Sequence, residues 1–228
     1  MKSGQRRTVE FIHFLFQNYS KRRLTNDTDR CVAVSGLEAR IARALPCKNS
    51  RYGIFQEHLH RNLLWQATDS DAKRIVYDEN RQVPSWSWMA CSGGIKFMEI
   101  ERGSVSWVKA LAFNAERDSA ALIADAGEFQ HVTLEPNGDH YILSNLFGRQ
   151  KGWVRYDVEG AQNGRINYCV VVGRTEEGEK TIGKKSYYIL VVLPTREDGS
   201  EDGEYKRIGV GVVRTGCVKR LRASVRIV

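Results

Sequence analysis

Long apolar runs are absent from this sequence. No stretch approaches the ~18 uninterrupted apolar residues that a membrane-spanning helix requires, so we expect no membrane partner. The opening run MKSGQRRTVEFIHFLF places basic residues before apolar ones, as a signal peptide does. However, Glu10, His13 and Gln17 interrupt the run, and no small-residue cleavage site follows. We therefore expect a cytoplasmic protein that begins with an amphipathic helix.

Paired cysteines and the common catalytic motifs are also missing. The five cysteines are scattered, and none forms a CxxC pair, so neither a zinc site nor a disulfide framework is predicted. The sequence has no nucleophile elbow, P-loop, dinucleotide fingerprint or HExxH motif. His58 and His60 would share a face on a strand, but we predict a helix there, so they do not predict a metal site. We expect no cofactor and no metal.

The chain is basic, with a formal net charge of +8 at pH 7. The segment from Tyr205 onward contains seven basic residues and no acid: Lys206, Arg207, Arg214, Lys219, Arg220, Arg222 and Arg226. A nucleic-acid interface would use such a patch together with stacking aromatics. However, apolar residues alternate with the charges in VKRLRASVRIV, which is typical of strands with one solvated face. Since no nucleic-acid motif accompanies the charge, we do not expect a nucleic-acid partner.

Hydrophobic periodicity divides the chain into a helical part and a β part. Helical spacing predicts one helix over Val9–Tyr19 with Thr8 as its N-cap, and a second from Thr28 or Asp29 to Pro46. Phe55, Leu59 and Leu63 indicate a third. Short β-branched and aromatic runs separated by turn residues then follow, from SVSWVKALAF to ASVRIV.

These patterns predict an α+β, mainly β, fold. Two or three N-terminal helices (residues 1–65) would pack on a large antiparallel β-barrel or sandwich (residues 66–228). No internal repeat and no linker is evident, so we predict a single domain over residues 1–228.

The stretch PSWSW at 84–88 uses two of the five tryptophans. Alternation on a strand would place Trp86, Trp88 and Ala90 on one face and the serines on the other. Pro84 would then begin the strand or lie at a sheet edge. The two indoles either anchor the helices on the sheet or line a pocket.

Several segments resemble fungal heterokaryon-incompatibility (HET) domain proteins. NYSKRRLTNDTDRCVAVSGLEARI, RYGIFQEHLHRNLLW, PSWSW and YYILVVLP…YKRIGVGVV occur in the order in which those proteins carry similar motifs, with Phe55 where a tryptophan is usual. The matching residues of the first block are Tyr19, Ser20, Arg22, Leu24, Thr25, Asp29, Arg30, Ala33, Ser35 and Gly36. The resemblance covers most of residues 10–215 and is to the region downstream of the HET domain. The HET motifs themselves, near SYxWG and WIDxxCI, are absent.

Two functional hypotheses follow. The resemblance implies a non-catalytic module that binds a partner protein in fungal self/non-self recognition. The alternative is a cofactor-independent cyclase or isomerase, or a binder, of an apolar polyketide or terpenoid intermediate, acting by holding its substrate in a reactive shape. In that case we expect Trp65, Trp86 and Trp88 to line the pocket and Tyr52 or His58 to donate a proton. Arg22 and Asp29 are predicted to form an ion pair between the first two helices.

Overall fold

The computed structural model describes residues 2–22, 24–44, 49–78, 82–101, 103–116, 120–160, 168–175, 185–196 and 203–228, with the backbone alone for residues 2–6 and 220–223. Over these residues the chain is α+β and mainly β, as the sequence predicts. No helix of the described residues is both long enough and apolar enough to cross a membrane.

The described residues contain three α-helices, all in the N-terminal part: α1 (Lys2–Ser20), α2 (Arg30–Ala44) and α3 (Leu59–Leu63). Helix α1 begins well before Thr8, so the prediction of Thr8 as its N-cap was wrong. Its inward face contains Ile12 and Phe16, four residues apart and fully buried, as the helical spacing predicts. A 3₁₀ helix, Asp27–Asp29, precedes α2.

The third helix is much shorter than its apolar spacing predicts. Phe55 lies in an extended strand, and Gln56–His58 forms a 3₁₀ helix before α3 begins at Leu59. Leu59 and Leu63 are buried on one face of the remaining single turn. Most of the predicted helix is therefore replaced by a tight turn that leads the chain toward the sheet.

Fourteen strands are present in the described residues: β1 (Ser50–Arg51), β2 (Ile54–Phe55), β3 (Trp65–Ala67), β4 (Ile95–Phe97), β5 (Val105–Trp107), β6 (Ala112–Phe113), β7 (Leu122–Phe129), β8 (Val132–Asn137), β9 (His140–Asn145), β10 (Gln150–Tyr156), β11 (Tyr168–Thr175), β12 (Ser186–Pro194), β13 (Glu204–Arg214) and β14 (Val218–Ile227). Strands β1–β2 and β3–β4 form two small antiparallel ladders. The part predicted to be helical, residues 1–65, therefore also contains a β-hairpin.

Ten of these strands form one large sheet in the described chain, in the order β12-β11-β7-β14-β13-β10-β9-β8, with β5 paired to β11 and β6 to β7. Strand β13 also pairs with β12, so the pairings of β7, β11, β12, β13 and β14 form a closed cycle. Closure into a barrel, or packing as a sandwich, stays a prediction.

The sheet is mixed, since one described pairing, β13–β14, is parallel and the others are antiparallel, so the antiparallel sheet that the sequence predicts is confirmed in the main and not throughout. Strand β14 runs antiparallel to β7 along its length and meets β13 only at its last residues. There the pairing is parallel, with Glu204 opposite Arg226 and Tyr205 opposite Ile227. Strand β14 thus pairs antiparallel with β7 on one edge and parallel with β13 on the other.

Two glycines of β13 permit close backbone approach to β10. A Cβ at Gly209 would lie 2.4 Å from the carbonyl oxygen of Arg155, and one at Gly211 would lie 2.4 Å from that of Trp153. Both residues oppose β10 in register. Larger residues would push the two strands apart.

The long strands contribute side chains to two hydrophobic cores. On β12, Leu190 and Val192 pack into a core shared with α1 and α2, whereas Ile189 and Val191 pack into a second core with β8–β10. This alternation follows from the two-residue period of a strand. The first core contains side chains from Ile12 to Ile227, so it joins the helical part to the sheet. The single-domain prediction itself is not tested by these contacts.

Candidate functional site

Tyr52 and Gly53 form the two-residue turn between β1 and β2. Both have positive φ, 50° and 75°, which is the backbone of a type I′ hairpin turn. Asparagine and glycine are the usual residues at these two positions, and a tyrosine with positive φ is uncommon. The turn therefore holds Tyr52 in a strained conformation that neighbouring contacts must stabilise.

Those contacts come from the stretch PSWSW and from α2. The Ser87 hydroxyl donates to the carbonyl oxygen of Tyr52 at 2.9 Å, and the Gly53 N–H donates to Glu38 Oε2 at 3.0 Å. A Cβ at Gly53 would lie 2.7 Å from Trp88 Nε1, so the tryptophan occupies the space that a side chain would need. The hairpin turn, α2 and the tryptophan stretch thus meet at one place.

The stretch PSWSW is a turn and not a strand, so the predicted alternation of faces was wrong. The N–H of Ser87 donates to Pro84 O at 3.0 Å, and a 3₁₀ helix then runs over Trp88–Ala90. The Ser87 side chain caps this helix by accepting the Met89 N–H at 3.1 Å. Ser87 is fully buried beside the tryptophans and does not lie on an opposite, exposed face.

Trp65 and Trp86 lie together in the core. Both are 0% exposed, and Trp65 Nε1 donates to Trp86 O at 3.0 Å while Trp86 Nε1 donates to Ala120 O at 2.9 Å. The Tyr52 ring packs edge-on against Trp86, with ring centroids 5.9 Å apart. Both indole N–H groups thus have backbone partners, which is how buried tryptophans are normally satisfied.

Trp88 is also 0% exposed and packs against α1 and α2. Its ring centroid lies 5.2 Å from that of Phe16 and 6.4 Å from that of Tyr19, and Arg30 Cζ lies 5.8 Å above the ring. Its indole N–H is buried and has no hydrogen-bond partner among the described protein atoms. The ring therefore anchors the helices, as one of the two sequence-based interpretations predicts.

His58 does not join this group. It lies at the end of the 3₁₀ helix before α3, and no hydrogen bond or ring contact of the described residues links it to Tyr52 or to the tryptophans. Its charge instead helps to lower the pKa of His13. The structure therefore brings together Tyr52, Trp65, Trp86 and Trp88 from the predicted site and leaves His58 outside it.

His60, the other histidine of the pair considered for metal binding, has its own partner. Its Nε2 bonds to Val108 O at 2.7 Å, its ring stacks on Trp107, and burial lowers its pKa. In the part of the chain that the structure describes, no three His, Cys, Asp or Glu side chains are placed to hold a metal ion.

A half-buried polar cluster surrounds Tyr52, and sequence reasoning did not select most of it. Burial raises the pKa of Glu38, of Tyr52 and of Tyr77. Cys31 lies close enough to both tyrosines to raise their pKa further, and Tyr77 donates its hydroxyl proton to Met89 O at 2.8 Å. We define Cys31, Glu38, Tyr52 and Tyr77 as the polar cluster. Tyr52 and Tyr77 therefore keep their phenolic protons at neutral pH, and burial favours the neutral form of the Glu38 carboxyl.

The block resembling HET-protein motifs also contains a structural arginine. Arg30, almost fully buried, donates to the carbonyl oxygens of Ser20 and Gly93, and the Ser20 hydroxyl accepts the Ile95 N–H at 2.9 Å. The predicted Arg22–Asp29 ion pair is absent from the described contacts, so that prediction was wrong. The residue next to Asp29 links the two helices instead.

The basic residues of the C-terminal segment were predicted to lie on a solvated face, and Arg207 is an exception. Its side chain is fully buried, and its Nε and Nη2 donate to both oxygens of Asp157 at 3.1 and 3.0 Å. Its Nη groups also donate to Leu63 O and Trp65 O, and its Cζ lies 3.6 Å above the Trp65 ring. Arg74 donates to Asp157 as well. No local pattern distinguishes this arginine from its exposed neighbours.

The described cysteines form no disulfide. Cys91, Cys169 and Cys217 are buried, Cys31 is half-buried, and all four are free, whereas Cys47 lies outside the described residues. Burial raises the pKa of Cys91 to about 11 and that of Cys169 to about 12, so these two are inert at neutral pH.

Comparison with known proteins gives no relative: no family model, no curated protein and no solved structure matches this chain.

Proposed function

We propose that this chain is a non-catalytic module that binds a partner protein. The observation that carries the proposal is the burial of the three tryptophans chosen as pocket walls. Trp65, Trp86 and Trp88 are each 0% exposed, and side chains from the helices and the sheet pack against their rings. Rings in such positions stabilise the fold and are not free to contact a substrate.

The resemblance to HET proteins supports the biological context of this proposal. The matched segments YS, YG and PSWSW are the ones that hold Ser20, Gly53 and Ser87 in buried hydrogen bonds. We therefore propose a stand-alone version of the region downstream of a HET domain, with a regulatory role in fungal self/non-self recognition.

The exposed face of α1 fits a protein partner. Phe11 and Phe14 are 55% and 60% exposed, and three residues apart they lie on one face of the helix. Their neighbours on α1 include both Arg7 and Glu10, so the rim carries both charges. An apolar centre with a mixed polar rim is typical of protein–protein interfaces.

The test uses purified protein and an extract of the source cells in which its gene has been deleted. We expect a specific protein to bind, and Phe11→Ser/Phe14→Ser to weaken its binding by roughly tenfold or more, since each side chain buried at an interface contributes about 1.5–3 kcal/mol. Val76→Ser is the matched control because Val76 is also apolar, is 87% exposed and lies on a loop outside α1. A partner that binds the double variant as well as the parent would contradict the assignment of this face.

The polar cluster favours a second candidate, the cofactor-independent cyclase or isomerase. Glu38 and Tyr52 have raised pKa values, and Tyr52 is held at positive φ, as residues at functional sites often are. A neutral carboxyl or phenol there could donate a proton to an apolar polyketide or terpenoid.

Metabolite analysis separates the two candidates. The non-catalytic proposal predicts that no metabolite of the same extract is converted by the protein without added cofactor. Conversion that is lost in Glu38→Gln or Tyr52→Phe, with the melting temperature of each variant unchanged, would overturn it.

The substitution Trp86→Ala tests whether this ring belongs to the core. It should lower the free energy of unfolding by about 3–5 kcal/mol if the ring is part of the core. Unchanged thermal unfolding of that variant would favour the pocket.

A further inference from the structure

The hairpin between β9 and β10 exposes two adjacent apolar side chains. Leu146 is 70% exposed and Phe147 is 87% exposed. The turn beneath them is held by Asn145, whose Oδ1 accepts the N–H groups of Phe147 and Arg149 at 3.2 and 2.9 Å. Gly148, at φ 69°, donates its N–H to Asn145 O at 2.9 Å. Leu146 and Phe147, which we call the hairpin tip, are thus held outward by a hydrogen-bonded turn.

The side chains next to the hairpin tip are basic. Arg149 is exposed, Lys151 is half-buried two residues further along β10, and residues 145–151 contain no acid. Neither side chain forms an ion pair with a described acid. A basic pair beside an exposed apolar pair is therefore the main chemical feature of this end of the hairpin.

The adjoining end of the sheet adds further positive charge. Because Gly152 lies opposite Val213, Lys151 and Arg214 are neighbours across the β10–β13 ladder. Both lie near the 3₁₀ helix Thr215–Cys217, where they oppose the burial that raises the pKa of Cys217. Lys219, at the start of β14, lies opposite Glu128 of β7, so an acid offsets its charge. The basic groups that the described ladder places beside the tip are thus on β10 and β13.

We propose that this end of the molecule docks on an anionic membrane, with Leu146 and Phe147 in the interfacial region and Arg149 and Lys151 against the lipid headgroups. Apolar side chains flanked by basic ones match the apolar interior and negative surface of such a membrane. The contact is peripheral and needs no spanning helix, so it replaces the expectation of no membrane partner, which rested on spans alone.

The chemistry of the tip favours lipid over single-stranded nucleic acid. A single-stranded nucleic acid would stack on aromatic faces, but only Phe147 of the two tip residues has one. On the α1 face, Glu10 lies close to the two phenylalanines, and an anionic surface would repel it. The hairpin tip and the α1 face therefore suit different partners.

The experiment is co-sedimentation of the purified protein with phosphatidylcholine vesicles that contain or lack phosphatidylserine. We expect binding only to the vesicles with phosphatidylserine, and weaker binding as salt rises. Leu146→Ser/Phe147→Ser should weaken binding roughly tenfold or more. Arg149→Gln/Lys151→Gln should weaken it about fivefold for each charge removed, the factor that corresponds to ~1 kcal/mol.

Matched controls exclude general effects of apolarity and charge. Val76→Ser removes an equally exposed apolar side chain, and Lys109→Gln removes an exposed lysine outside the hairpin, so both should bind vesicles as the parent does. Thermal unfolding of every variant checks that the fold is retained.

Three outcomes would overturn the proposal. The first is no sedimentation with phosphatidylserine vesicles at physiological salt. The second is full binding by the tip variant. The third is loss of binding to a single-stranded oligonucleotide or to a partner protein, but not to vesicles, in the tip variant. None of these outcomes bears on the α1 face, which is tested by separate substitutions.

Discussion

Arg207 carries a guanidinium group into the interior, next to the Trp65 ring and the carboxylate of Asp157. Burial lowers the pKa of Arg207, and Asp157 opposes that effect. The ion pair, the two carbonyl acceptors and the ring replace the water that the charge would otherwise bind. Removal of one partner therefore destabilises the fold more than removal of the whole pair.

We expect Asp157→Ala to lower the free energy of unfolding by about 3–5 kcal/mol, because it leaves Arg207 buried without a counter-charge. The double variant Asp157→Leu/Arg207→Met should lose less than the sum of the losses in Asp157→Leu and Arg207→Met. Urea denaturation of the four proteins measures this coupling. Additive losses would mean that the two charges do not depend on each other in the folded state.

His13 makes the stability depend on pH. Desolvation lowers its pKa from 6.5 to about 4, while its ring stacks on Phe97 and bonds Asn62 Oδ1 at 3.1 Å. The unfolded chain therefore binds more protons than the folded chain between these values, so stability is complete above pH 6.5 and falls as pH decreases toward 4.

We expect about 1–3 kcal/mol to be lost over that pH range because of His13, and His13→Gln should make the loss smaller. Urea denaturation at a series of pH values gives the slope. Since burial also lowers the pKa of His60, part of the pH dependence should remain in the variant. An identical slope in both proteins would show that His13 is protonated equally in the folded and unfolded states.

Sequence reasoning at this scale succeeded for tryptophan and failed for arginine. The interpretation of Trp86 and Trp88 as anchors in the core agrees with their burial, because burial of a large ring is favourable in almost any fold. Arg207 has the same local neighbours as an exposed strand residue. Its burial depends on Asp157, which is 50 residues away, and on the carbonyl groups of Leu63 and Trp65 at the end of α3 and just after it, so no local pattern could predict it.

At the scale of elements, the hairpin turn and the tryptophan stretch act as one unit. Ser87 bonds Tyr52 O, and Trp88 fills the space beside Gly53. The alternation in PSWSW also fits a short capped 3₁₀ helix, and five residues are too few to distinguish the two. Contacts distant in sequence, with Tyr52 35 residues earlier and with Val228 at the end of the chain, hold the observed conformation.

Gly53→Ala tests this unit, with Gly138→Ala as its control. Both glycines have positive φ, but a Cβ at Gly138 meets nothing within 4 Å, whereas one at Gly53 would lie 2.7 Å from Trp88 Nε1. We expect the control to lose about 1 kcal/mol from backbone strain alone. Gly53→Ala should lose a further 1–3 kcal/mol from overpacking, measured by chemical denaturation. Equal losses would show that the tryptophan can move aside without cost.

On the scale of the whole molecule, the helices and the sheet share the core that contains Trp88, Phe16 and Ile227. Neither part can lose its packing without exposing the other. The general class, α+β and mainly β, was predictable because strand and helix periods are local. The parallel β13–β14 pairing was not, since it joins the final residues of β14 to the start of β13 by tertiary geometry.

We expect the protein to unfold in one transition because of this shared core. Urea curves followed by far-ultraviolet circular dichroism, which reports the helices, and by tryptophan fluorescence should coincide. Two separate midpoints would mean that the helical part and the sheet are independent units.

The hydrogen bonds from Arg207 to the carbonyl groups of Leu63 and Trp65 can form only late in the synthesis of the chain. They span 144 and 142 residues. At ~5–20 residues per second, a ribosome needs roughly 7–30 s to make the chain between these partners. During that interval the apolar faces of the newly made helices are exposed, because the strands that cover them have not yet been synthesised. The cell must therefore keep this intermediate from aggregating, and chaperone supply should limit the yield of folded protein more than the stability of the finished fold does.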